Sequence, residues 1–254
     1  MTAPDWSTLR HALAQHREQG LALPLWCRDD DAIEPTPQLD RLERLSDATG
    51  VQVHLAVVPR NATRALATRL ATSHAFVPLV HGWQHVNHTL PDAKKSEFGQ
   101  PRAEGAKELA FALARMQNLF VDLLLPVFVP PWNRIDPAYL PELAALGYRG
   151  LSTFLPRAQV QAHPGLVQIN THVDPIAWRS TRDLIDPQTL IDATAAHITA
   201  RTSGDADNTE PLGLLTHHLV HSDAVWSFCE QLLKELLDGG AHPQPLAPLL
   251  EPTT

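Results

Sequence analysis

The chain has 254 residues, 44% of them hydrophobic, enough to bury a large core and to form one α/β domain spanning 1–254 with its centre between about 20 and 240. A formal charge of -8 with no Lys/Arg block leaves no surface for neutralising phosphates, so nucleic acids are not expected as partners. No apolar run is long enough to span a membrane, residues 1–6 lack a basic-then-apolar signal pattern, and Cys27 and Cys229 make no disulfide framework; a cytoplasmic protein with no membrane association is expected.

Apolar runs of strand length fall near 22–28, 51–58, 76–81, 125–129, 149–154, 166–171 and 212–217. Helical patterns separate them at 37–48, 62–71, 102–120, 137–146, 187–200 and 224–237. Strands alternating with helices imply a parallel sheet. Asp136 before Pro137, and Gly147 after the Leu140 to Leu146 run, supply a helix start and stop. Residues 202–211 read as an exposed loop, and the proline-rich tail after Gly239 as irregular chain.

Polar groupings recur at the strand ends. The first run leads into Asp29, Asp30 and Asp31; the third ends in His81-Gly82-Trp83-Gln84-His85-Val86-Asn87-His88. The fourth leads into Pro130-Pro131-Trp132-Asn133-Arg134, the sixth into Asp174 and Trp178, and the last into His217, His218 and His221. In α/β folds the loops after strands converge, and chemistry collects there. One Asp plus two His meets the ligand count of a catalytic divalent metal that keeps a position for water. His81 and His85, four apart, would face one ion if the segment made a helical turn. A fourth protein ligand would close such a site, so His88 is assigned to the substrate side instead. Oxygen and nitrogen donors suit zinc first, with cobalt, manganese or nickel as alternatives. Oligomeric state is not legible in the sequence.

These segments, in this order over roughly 22–221, resemble the polysaccharide deacetylase family, the NodB-homology domains of metal-dependent carbohydrate esterases. The matching pieces are Asp30-Asp31-Ala32, His81-Gly82-Trp83-Gln84-His85, Val129-Pro130-Pro131-Trp132, Asp174 with Trp178, and Leu215-Thr216-His217. The resemblance implies a single-domain α/β fold, a distorted (β/α)7 barrel, acting on an N-acetylated carbohydrate or related amide. It makes Asp30 the catalytic base, Asp31, His81 and His85 the metal ligands, and His217 the general acid. Strand alternation alone leaves His217 and His218 open, and His218 is kept with the substrate-facing groups. Asp174 is positioned in this reading to hydrogen-bond His217 and favour its cationic form, or else serves a turn before Pro175. Pro131, Trp132 and Trp178 are assigned to substrate contact, aromatic faces suiting sugar rings.

Three departures accompany the resemblance. Val129 stands where the family has an arginine tuning the catalytic Asp, leaving Arg134 or Arg28 to replace it; an arginine at the mouth equally suits a substrate clamp. Gly82 stands for Ser/Thr, and Ala32 for a glycine, acceptable only at negative φ. A second reading, motivated by Val129, is a noncatalytic metal- or glycan-binding module on the same fold.

Overall fold

The computed structural model describes residues 4–251. Strands β1 (Leu23–Ala32), β2 (Val53–Val57), β3 (Phe76–His81), β4 (Val127–Val129), β5 (Gly150–Leu151), β6 (Gln161–His163), β7 (Leu166–Gln168), β8 (Leu212–Thr216) and β9 (Ala241–Pro243) alternate with seven α-helices. These are α1 (Ser7–Glu18), α2 (Pro37–Thr49), α3 (Arg64–Leu70), α4 (Gly105–Phe120), α5 (Leu140–Leu146), α6 (Pro187–Ser203) and α7 (Asp223–Asp238). The sheet runs β6-β7-β5-β4-β3-β2-β1-β8, with β9 beside β1, and every pairing is parallel except β6 with β7.

Its ends approach each other through residues 169–173. Thr171 N–H donates to Thr153 O at 3.1 Å on one side; His172 N–H donates to Gly213 O at 2.7 Å, and Leu215 N–H to Val173 O at 2.8 Å, on the other. Single bridges thus span the gap where a regular strand would close a barrel, the distortion that the resemblance implied. Trp26, Ala56, Leu79, Val127, Val129 and Ile169 pack together on the inner face. The tail seals this cluster with Leu246 and Leu250. Leu25 and Cys27 belong instead to the larger cluster under the helices, as period-two alternation requires.

Local chemistry fixes the helix starts. Thr36, Asp186 and Ser222 accept backbone N–H bonds from Leu39, Thr189 and Val225, and proline occupies the first turn of α2 and α6. Four features depart from the sequence reading. Helix α1 was not anticipated; it has no acidic first turn and only the short apolar set Leu9, Ala12 and Leu13 on its buried face, which packs against α6. Strands β6 and β9 are three residues long, below what alternation can reveal. The tail after Gly239 is anchored rather than irregular, because β9 pairs with Leu23 to Leu25. Strand β1 also continues through the three aspartates instead of ending before them. Cys27 and Cys229 are free and buried, and among the described residues no helix is long and apolar enough to cross a membrane.

Candidate metal centre and catalytic cleft

The cleft begins with an irregularity in β1. Its pairing with β2 shifts register between Asp29 and Ala32, and Asp31 adopts φ +78°. Alternation puts Arg28 and Asp30 on the inner face and Asp29 on the helix face; the bulge then turns Asp31 inward beside Asp30. Ala32 avoids positive φ, so the missing glycine costs nothing there.

Asp31 Oδ1 lies 3.1 Å from His81 Nε2 and 3.3 Å from His85 Nε2. His81 Nδ1–H donates to Val129 O at 3.0 Å, which holds the ring with Nε2 facing Asp31. Donors about 2.1 Å from a tetrahedral zinc ion lie about 3.4 Å from one another, close to both Asp31–imidazole separations, and all three donor atoms lie within 4.8 Å of one another. Electrostatics agree. Burial alone would raise the Asp31 carboxyl, but the His81 hydrogen bond and the imidazole charges outweigh it and hold it below the usual carboxylate range. Burial likewise depresses His81, and Asp30 and Asp31 overturn that and raise it, the signature of a field that attracts cations.

The two histidines do not share a helical turn, contrary to the sequence expectation. Gly82 and His85 both have φ +57°, and residues 82–88 form an irregular loop. Glu97, 1% exposed, organises it. Its carboxylate accepts the backbone N–H groups of Trp83 (3.1 Å), Gln84 (2.9 Å) and His85 (3.3 Å). A Cβ at residue 82 would lie 2.2 Å from Glu97 Oε2 and 2.5 Å from Pro131 Cγ, which explains glycine where the family has Ser/Thr. Glu97 falls in a polar stretch with no sequence signal marking it.

Asp30, 3% exposed, is gripped by Arg28, which has no exposed surface. Nε donates to one carboxylate oxygen at 2.8 Å and Nη2 to the other at 3.0 Å. The guanidinium is fixed in turn by Ser152 Oγ (2.7 Å), Thr153 O (3.1 Å) and Asn133 Oδ1 (2.6 Å). Arg28 is therefore the arginine that contacts Asp30; its i, i+2 spacing from Asp30 is the signal that identifies it. Arg134 does not reach Asp30. Its Nη1 donates to Lys95 O at 2.8 Å, and the side chain lines the cleft rim.

Across the cleft stands His217, its ring edge-on to Trp178 with centroids 4.6 Å apart. His218 is turned away and buried, donating through Nδ1 to Asp29 on the helix face, where Thr216 and the His218 backbone N–H also bind that carboxylate. It is a structural residue and not a substrate-facing one. Asp174 lines the cleft near His217 but makes no hydrogen bond to it. Its oxygens accept from Ile176 N–H at 3.0 Å and Trp178 Nε1–H at 2.8 Å, and His217 Nδ1 has no partner among the described residues. Burial raises the Asp174 carboxyl, with His217 opposing.

Trp132 packs on His85 with ring centroids 4.3 Å apart and lines the cleft. Pro131 is buried behind it against Gly82, and His88 is exposed outside the cleft, so neither meets the substrate contact expected of it. Trp83 packs towards Phe111 on α4. Phe154, Arg179 and Arg182, which the sequence did not single out, complete a cavity of about 540 Å³.

No family model matches the chain, and no curated protein does. Solved structures do. A deacetylase solved with substrate superposes with TM-score 0.55 at 17% identity, covering 90% of each chain. A family 4 carbohydrate esterase from Streptomyces lividans, in complex with acetate, gives 0.55 at 12% identity over 90% of this chain and 95% of that one. A family 4 acetyl xylan esterase from Clostridium thermocellum, in complex with a cobalt ion, gives 0.51 at 13% identity over 89% of each. Nearly the whole chain thus adopts the fold of the family 4 carbohydrate esterases.

Proposed function

We propose that the chain is a divalent-metal-dependent deacetylase that hydrolyses the amide of an N-acetylated sugar or a related N-acyl compound. The observation that carries this reading is the meeting, in one cleft, of the Asp31, His81 and His85 donor set with the Arg28-held Asp30 on one side and His217 on the other. Asp31, His81 and His85 would hold the metal, zinc being the first choice for two imidazoles and a carboxylate. When bound, a dication there polarises the acetyl carbonyl and acidifies water.

The protein groups supply the proton traffic. Asp30 removes a proton from the attacking water, and the two Arg28 hydrogen bonds keep its carboxylate plane fixed while it does so. Protonated His217 delivers a proton to the departing nitrogen, which otherwise leaves poorly as an amide anion; acetate and a free amine result. Trp178 packs against the His217 ring and takes the Asp174 carboxylate as its own acceptor, so Asp174 acts through Trp178. Trp132 and Trp178 offer faces for a sugar ring. The departure at Val129 that favoured a noncatalytic module is answered by Arg28. The two unpaired, buried thiols accord with a reducing compartment such as the cytoplasm.

Acetate release from N-acetylglucosamine oligomers by zinc- or cobalt-loaded protein tests the reading. Asp30→Asn is expected to lower kcat by about 10²–10⁴-fold, the usual contribution of a general base, with cobalt still bound. Wild-type turnover in that variant, or no acetate release by the parent protein on any acetylated amine, refutes it.

A further inference from the structure

The rim of the cleft is cationic on an otherwise acidic protein. Arg134, Arg179 and Arg182 all face this one cavity, while the chain carries a formal charge of -8. None of the three forms an ion pair among the described residues. The carboxylates lining the same cavity are committed elsewhere: Asp30 to Arg28, Asp31 to the imidazoles, and Asp174 to the Ile176 N–H and the Trp178 indole. The rim charge is left to act on whatever enters.

The segment bearing Arg179 and Arg182 is built. Ala177 N–H donates to Asp183 O at 2.8 Å and Arg182 N–H to Ala177 O at 3.0 Å, closing a tight loop. Asp183 accepts the hydroxyl of Ser222, the N-cap of α7. Arg182 sits at φ +56°, a region disfavoured for non-glycine residues, so the loop holds this residue against a local preference. Its guanidinium lies over the Trp178 ring, 5.8 Å from the centroid, and Trp178 in turn contacts His217. The Trp178 contact holds the guanidinium beside the cleft, and its N–H groups donate to no group among the described residues, which suits a forked oxyanion.

We infer that the cleft selects an N-acylated substrate carrying an anionic group, a phosphate or a carboxylate, bound by Arg179 and Arg182 next to the His217 side of the site. The inference rests on the deacetylase reading for the chemistry at the acetyl group, but anion recognition can be measured without turnover.

Calorimetric titration of the zinc-loaded protein with N-acetylglucosamine, N-acetylglucosamine 6-phosphate, uridine diphosphate N-acetylglucosamine and N-acetylmuramic acid separates neutral, phosphate and carboxylate ligands; inorganic phosphate reports binding by the metal alone. At least one anionic sugar is expected to bind tenfold or more tightly than N-acetylglucosamine. The preference should shrink by about five- to tenfold in each of Arg179→Ala and Arg182→Ala, and also as salt rises from 0.05 to 0.5 M, since exposed charges are screened. Equal binding of neutral and anionic sugars, or a preference unchanged in Arg179→Ala/Arg182→Ala, overturns it; the second result assigns the anion to the metal. Anion preference without acetate release leaves this inference standing and removes the deacetylase reading instead.

Discussion

Arg28→Met tests whether the Arg28–Asp30 pair supports the fold as well as the chemistry. Methionine preserves much of the volume, but it removes both hydrogen bonds to Asp30 and those to Ser152, Thr153 and Asn133. Because Asp30 is only 3% exposed, the orphaned carboxylate has little access to water. Breaking a buried pair from one side typically costs about 3–5 kcal/mol, most of it the stranded charge. For a chain of 254 residues that corresponds to a fall in Tm of about 6–9 °C. The decisive comparison adds Asp30→Asn. If the stranded charge dominates, Arg28→Met/Asp30→Asn is more stable than Arg28→Met alone by about 2 kcal/mol or more, a coupling that a double-mutant cycle from urea unfolding midpoints resolves. A cost below about 1 kcal/mol for Arg28→Met, or no recovery in the double variant, refutes the reasoning.

Gly82→Ser, which restores the residue type of the resembled pattern, is expected to weaken cobalt binding by about tenfold or more, because its Cβ would strike Glu97 Oε2 at 2.2 Å and shift the loop carrying His85; an unchanged cobalt titration in the visible spectrum contradicts this. Acid sensitivity should trace in part to His54, which burial pushes down to about 4 from an ordinary 6.5. Between those values the unfolded chain binds a proton that the folded one refuses, so stability rises with pH across this window and is lost on acidification, by about 2 kcal/mol from pH 6.5 to pH 5. His54→Gln should flatten that part of the urea midpoint profile, with His197 and His221, depressed to about 3 and about 4, supplying the remaining slope; an unaltered profile counts against it.

The parallel architecture was legible because Val- and Leu-rich runs alternate with capped helices, and those runs coincide with the central strands. What escaped the sequence was held by contacts rather than by pattern. Strand β9 forms because it takes up Leu23 to Leu25 of β1, ahead of the pairing with β2 that begins at Cys27, and α1 packs against α6. At the site, the order of motifs marked Asp30, Asp31, His81, His85 and His217, all of which line one cleft. The loop geometry between the histidines was not legible, because it depends on a glutamate twelve residues beyond His85 that reads like any other surface charge. Likewise, the preference for His217 over His218 depended on motif order; His217 lines the cleft, and the Asp29 contact takes His218 out of it.

The bulge in β1 has a consequence for how three adjacent acidic residues coexist. In a regular ladder such a tripeptide would place like charges on the same side two residues apart, with mutual repulsion to overcome. Here Asp29 is sent to an imidazole beneath the helices, while Asp30 and Asp31 share the cleft but face different counterweights, a guanidinium inside the sheet and the histidine pair at the opening. The two cleft carboxylates nevertheless remain electrostatically linked, because both favour the charged form of His81, so a substitution at Asp30 is felt at the Asp31–histidine cluster beside it.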